Sequence, residues 1–164
     1  MPRRESQVEW PDESKHRPIE ETPVFEIFES VAQWAWDSVR SWDFFAKDTV
    51  GKQMVRALDS VNANLVEGDG RFSDLDALRH LVIARASARE GRLWVIRAKN
   101  RNLIDPEEGM ARILQMEEGT RQLNLLINYR RKTANKYVVR EEQYHREFYS
   151  GPIEGPSELD SEIL

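Results

Sequence analysis

Two glycines interrupt a helical pattern in Ser60-Val61-Asn62-Ala63-Asn64-Leu65-Val66-Glu67-Gly68-Asp69-Gly70-Arg71-Phe72-Ser73, and the pattern restarts behind a serine. Glycine tolerates the left-handed backbone that closes a helix, and a serine hydroxyl can accept from the free amides of the next first turn. The stretch therefore predicts a helix stop at Gly68, a helix start capped by Ser73, and an antiparallel pair between them.

The periodicity on either side extends the pattern. From Thr22 to Lys47, the residues Val24, Phe25, Phe28, Val31, Ala32, Ala35, Val39, Trp42 and Phe45 recur at three- and four-residue steps, the signature of one helix with a single apolar stripe. Asp48 or Thr49 is placed to cap a second helix carrying Val50, Met54, Ala57, Leu58, Val61 and Leu65. A third is expected from Ser73 to about Asn102, with Leu75, Leu78, Val82, Leu93, Ile96 and Leu103 as its apolar series. The fourth opens with Asp105 as N-cap, Pro106 at the first helical position, and Glu107 and Glu108 beside the positive end of the dipole. It continues through Ile113, Met116, Thr120, Leu123 and Ile127 to Lys132 or Lys136, with a further turn or two over 137–149. β-Hairpin signals and internal repeats are absent. The expected fold is all-α, an antiparallel up-down four-helix bundle over 22–136. A flexible, proline-bearing arm precedes it over 1–21, and a partly disordered acidic extension follows over 137–164.

The 164 residues, 40% hydrophobic and 32% charged, suffice for one modest core. There is no cysteine, which excludes thiolate chemistry and suits a reducing compartment. No apolar run is long enough to cross a membrane, and the N-terminus lacks a signal-peptide core, so a cytoplasmic location is expected. The three histidines, His16, His80 and His145, are scattered without metal-ligand spacing. Gly51-Lys52 lacks the earlier glycine of a phosphate loop, that position being Ala46. Glu67 and Asp69 flank glycines at a turn, where carboxylates usually cap or stay solvated. No cofactor, metal or small-molecule substrate is suggested, and no enzymatic activity is expected.

The net charge of −5 hides a polarity along the chain. Residues 1–70 carry eight basic and fourteen acidic side chains, residues 71–104 eight against three, and residues 138–164 two against seven. Within the basic segment, Arg85, Arg89, Arg92 and Lys99 fall in a helical sector of roughly 80° and a stripe about 20 Å long. Such a stripe suits phosphate contacts. Pairing with acidic helix one or the acidic tail, or plain solvation, is the reading an acidic chain favours. On the same helix, Ala84, Ala88 and Gly91 allow a close approach, either by a neighbouring helix or by another subunit. Trp34 and Trp36 point to different faces of helix one, so one of them is expected at a subunit interface, with base stacking the lesser alternative.

The segment Ser60–Arg71, with Arg79-His80-Leu81-Val82-Ile83-Ala84-Arg85-Ala86-Ser87-Ala88-Arg89-Glu90, resembles the four-helix-bundle proteins encoded by intervening sequences in bacterial 23S ribosomal RNA genes. That family has an Asn-x-Ala-Glu-Gly-x-Gly-Arg turn, a Leu-x-Ile-Ala segment and a Ser-x-x-Glu pair. Asn64, Glu67, Gly68, Gly70, Arg71, Leu81, Ile83, Ala84, Ser87 and Glu90 stand at the matching positions. Asn62 replaces the usual proline and Val66 the usual alanine. The resemblance, over roughly 25–130, implies a non-enzymatic bundle that often forms a ring-shaped homopentamer. It also implies likeness to the accessory variability proteins of diversity-generating retroelements, which bind a reverse transcriptase and nucleic acid. The expected role is an oligomeric adaptor for RNA or an RNA-handling protein, the alternative a homo-oligomeric scaffold without nucleic acid.

Overall fold

The computed structural model describes residues 17–149, with side chains as far as Asn135. Four helices dominate: α1 (Pro23–Val39), α2 (Lys52–Asp69), α3 (Asp74–Asn100) and α4 (Pro106–Tyr149). There is no strand among the described residues. Among the described residues the helix packing runs α1 to α2, α2 to α3, α3 to α4 and α4 back to α1. Short links between consecutive neighbours make this an antiparallel up-down bundle, as the periodicity requires. Its core is filled by Phe28, Met54, Leu58, Leu65, Met116, Leu123 and Ile127, all fully buried.

The first helix is shorter than its apolar series suggests. It ends at Val39, where Ser38 and Ser41 hydroxyls donate to the carbonyls of Trp34 and Ser38, both at 2.8 Å, and compete with the helical ladder. Asp43 then caps the next segment, its Oδ1 accepting from the Ala46 amide at 2.9 Å. A helical turn, Phe44–Ala46, and a π-helical turn, Lys47–Gly51, lead directly into α2. The expected cap at Asp48 or Thr49 therefore moves to Asp43. Trp42 turns into the core while Phe45 stays exposed. A Cβ at Gly51 would lie 2.6 Å from Val39 Cγ1, so this glycine lets the two segments touch.

The Gly68–Ser73 link exists, but its mechanism differs from expectation. No glycine in the described chain has positive φ. Gly68 is still helical, and its role is clearance: an added Cβ would sit 3.1 Å from His80 Cβ and 3.2 Å from the Ala77 carbonyl oxygen. Ser73 occupies the N-cap position of α3 without a side-chain capping bond. The left-handed residue is Asn102 (φ 56°), which ends α3, with the Leu103 amide donating back to Ala98 O at 3.0 Å. Asp105 caps α4 as expected, accepting from the Glu107 and Glu108 amides at 3.0 and 2.9 Å.

The most consequential correction concerns α3. Its buried side is Ala77, Leu81, Ala84, Ser87, Ala88, Gly91, Val95 and Ala98, mostly small residues. Leu75, Val82 and Leu93, expected inside, lie about 180° away from Ala84 and Gly91 at 100° per residue and are exposed. Ala84, Ala88 and Gly91 are thus spent inside the monomer and do not form a subunit face. A Cβ on Gly91 would lie 2.7 Å from Leu58 Cδ2 and 3.4 Å from Met116 Cε.

At the termini, the arm expected over 1–21 is docked in its last residues. Ile19–Glu21 form a 3-10 turn, Ile19 is buried, and its amide donates to Asp69 Oδ2 at 3.2 Å. Residues 1–16 and 150–164 lie outside the described chain. The fourth helix passes Lys136 and continues to Tyr149, longer than the turn or two expected.

Candidate functional site

Winding α3 at 3.6 residues per turn places Arg85, Arg89, Arg92 and Lys99 along the flank that meets α4, not along its outermost line. Arg92 Nη2 lies 2.7 Å from Glu117 Oε1, and Arg85 Nη1 donates to Asn124 Oδ1 at 3.2 Å. Lys99 runs its methylenes past Gly109, whose hypothetical Cβ would be 3.4 Å from Lys99 Cβ. Arg89 is exposed and makes no ion pair among the described residues. The stripe exists, and its internal partners come from α4 rather than from α1.

On the outer side of α3, Leu75 is 52% exposed and Leu93 44%, with Val82 and Ile83 between them. Leu75, Val82 and Leu93 repeat at seven and eleven residues, within about 20° of one line, and Arg89 lies beside it. Leu114, Leu125 and Tyr129 on α4 are likewise exposed. A bundle whose third helix buries one side in the core and also carries large apolar residues outside has a face left over after its own core is complete.

Of the two tryptophans, Trp34 is sealed within the monomer and does not reach a subunit interface. Its indole is 9% exposed, donates to Glu108 Oε1 at 2.7 Å, and lies under the Arg112 guanidinium at 5.4 Å. Trp36, 54% exposed, is the one that faces outward. It borders a cleft of about 560 Å³ between α1 and α2, with Val39 and Val55 on its apolar wall and Arg40, Lys47, Lys52 and Arg56 around it. The cations come from the residue that follows α1, the π turn and α2, which is why no local sequence signal announced them.

The acidic pair at the α2–α3 turn is structural. Asp69 lies 3.6 Å from Arg130 Nη2, which also holds Asp74 through Nη1 at 2.9 Å, and Glu67 pairs with Arg71. Among the described residues no group of three His, Asp or Glu side chains is arranged to hold a metal ion. Asn62 bridges α2 to α1, its Nδ2 donating to Phe25 O at 3.2 Å and Glu29 Oε2 at 2.9 Å. Beside it, burial pushes the Asp59 carboxyl above its ordinary range, with the Glu29 charge adding to the effect.

The family model for 23S rRNA-intervening sequence protein matches residues 20–125, from the docked N-terminal turn to the middle of α4. No curated protein matches the chain.

Proposed function

The chain belongs to the 23S rRNA-intervening sequence protein family, and we propose that it is a non-catalytic, self-associating helical adaptor that binds RNA or an RNA-handling protein such as a reverse transcriptase. The observation that carries this reading is the double-sided α3: small residues inside, and Leu75, Val82 and Leu93 outside next to Arg89. An apolar face flanked by cations supplies both a packing surface and a site for phosphates on one rigid element. A ring-shaped homopentamer closed through this face, by likeness to the accessory proteins of diversity-generating retroelements, is the assembly proposed. A cytoplasmic setting belongs to the same reading; no helix among the described residues is long and apolar enough to cross a membrane. No catalytic role is assigned, because the sequence offers neither a cysteine nor clustered histidines.

The second reading, a scaffold without nucleic acid, is favoured by the Arg92–Glu117 and Arg85–Asn124 contacts, which use half of the stripe to hold α3 on α4. Native mass spectrometry of protein purified gently without nuclease, beside V82D/L93D and R89E variants, separates the two. The adaptor reading expects an oligomer carrying RNA or a second protein, V82D/L93D dissociating it, and R89E keeping the assembly. It also expects R89E to lower the slope of log affinity for single-stranded RNA against log salt by about 0.7. A bare oligomer insensitive to R89E leaves the scaffold.

A further inference from the structure

We propose that the acidic segment 150–164 of one copy docks in the α1–α2 cleft of a second copy. The cleft combines an apolar wall, Trp36, Val39 and Val55, with four cations, Arg40, Lys47, Lys52 and Arg56, against a single carboxylate, Asp59. Arg40 and Lys52 have carboxylates only at the edge of ion-pair distance, Asp37 at 4.0 Å and Asp48 at 3.9 Å, and all four of these side chains are mostly exposed. Pairs so exposed are weak and leave the cations open to another partner. Lys47 and Arg56 make no ion pair among the described residues.

The segment 150–164 has the complementary chemistry. It contains Glu154, Glu158, Asp160 and Glu162 and no lysine or arginine, with Ile153, Leu159, Ile163 and Leu164 between and beyond the acids. Four carboxylates meet a cleft whose four cations outnumber its one carboxylate, Asp59, and aliphatic side chains meet an apolar wall on which a large tryptophan is half exposed.

Geometry decides between the same copy and another. The cleft lies at the C-terminal end of α1, level with the start of α4, because Trp34 is bonded to Glu108. From Glu108 to Tyr149, α4 rises about 60 Å at about 1.5 Å per residue, carrying its end away from the cleft. The residues 150–164 span about 50 Å even if fully extended. The segment cannot fold back to its own cleft, so the cleft it fills belongs to a second copy.

The test is carbodiimide coupling of the full chain in an equal mixture of ¹⁴N- and ¹⁵N-labelled protein, with peptide mapping and native mass spectrometry on the same samples. Expected are isotopically hybrid links from Lys47 or Lys52 to the acidic residues of 150–164. Their yield should fall about tenfold in R40E/R56E, which leaves both lysines in place. A mixture of R40E/R56E with a full chain bearing E154K/E158K/E162K should restore hybrid links in the reverse sense. Links confined to single copies, links from the segment chiefly to Lys99 or Lys132, or no links from the segment overturn the proposal. So does RNA photocrosslinked to Trp36. An intact oligomer without hybrid links refutes docking while leaving self-association through α3 standing, so the two readings fail separately.

Discussion

The Trp34 indole N–H donates to Glu108 Oε1 at 2.7 Å, joining α1 to the first turn of α4 across 74 residues of sequence. Glu108 stands where a capping box would have it reach back to Asp105, and the tryptophan takes its carboxylate instead. Arg112 completes the arrangement, 3.7 Å from Glu108 and stacked on the Trp34 ring. Trp34→Phe removes the donor from a charged acceptor and weakens the cation–π contact. A loss of about 1–3 kcal/mol in urea unfolding is expected, against a change within about 0.5 kcal/mol for Trp36→Phe.

Alanine at Gly91 should cost stability even though it favours the helix. The propensity gain is about 1 kcal/mol, but the new methyl would lie 2.7 Å from Leu58 Cδ2 and 3.1 Å from its Cγ, both in a fully buried side chain. Overpacking of about 1–3 kcal/mol outweighs the gain. Thermal unfolding of G91A, L58V and the double variant checks this. Non-additivity is expected, with L58V making G91A less harmful.

Arg130, just past the middle of α4, ties that helix to both Asp69 and Asp74, and all three side chains are largely removed from solvent. Arg130→Met keeps the aliphatic packing and takes the guanidinium from two carboxylates, of which Asp69 still accepts from the Ile19 amide. A loss of about 1–3 kcal/mol by urea denaturation is expected. Hydrogen exchange should rise at the α2–α3 link more than at the Trp34 end, because the contact is local to that end of the bundle.

Asp59 supplies a pH test. Its carboxyl is raised above the ordinary value of 3.8, first by burial and then by Glu29. The folded chain therefore holds this proton more tightly than the unfolded chain does, and stability falls as pH rises from about 3.8 through the folded-state value. Asp59→Asn removes the cost of holding a partly desolvated charge beside Glu29. Its melting temperature should exceed that of the parent at pH 7, with the advantage shrinking toward zero as pH falls below 3.8.

What the sequence could and could not show is clearest on α3. Period alone told that Ala84, Ala88 and Gly91 share a face and that Leu75, Val82 and Leu93 share another, but it ranked faces by size and so turned the large residues inward. Close packing against α2 inverts that ranking, because small residues let the two backbones approach until Leu58 fills the space over Gly91. Trp34 and Trp36 were separable as facing different directions, yet which one is covered depends on Glu108 and Arg112 from the fourth helix. The arginine stripe was visible as a sector of one helix, while its pairing with Glu117 and Asn124, and the cationic cleft around Trp36, required two or more elements side by side.

The sequence by itself determined the all-α class, the order of four helices, the α2–α3 link and the Asp105 cap, because periodicity and capping act over three to eleven residues. Only the tertiary structure decided where α1 stops, which side of α3 is buried, and which cations and aromatics face solvent. Those outcomes turn on contacts between segments tens of residues apart, where the size and position of a neighbour, not the local pattern, set the free energy.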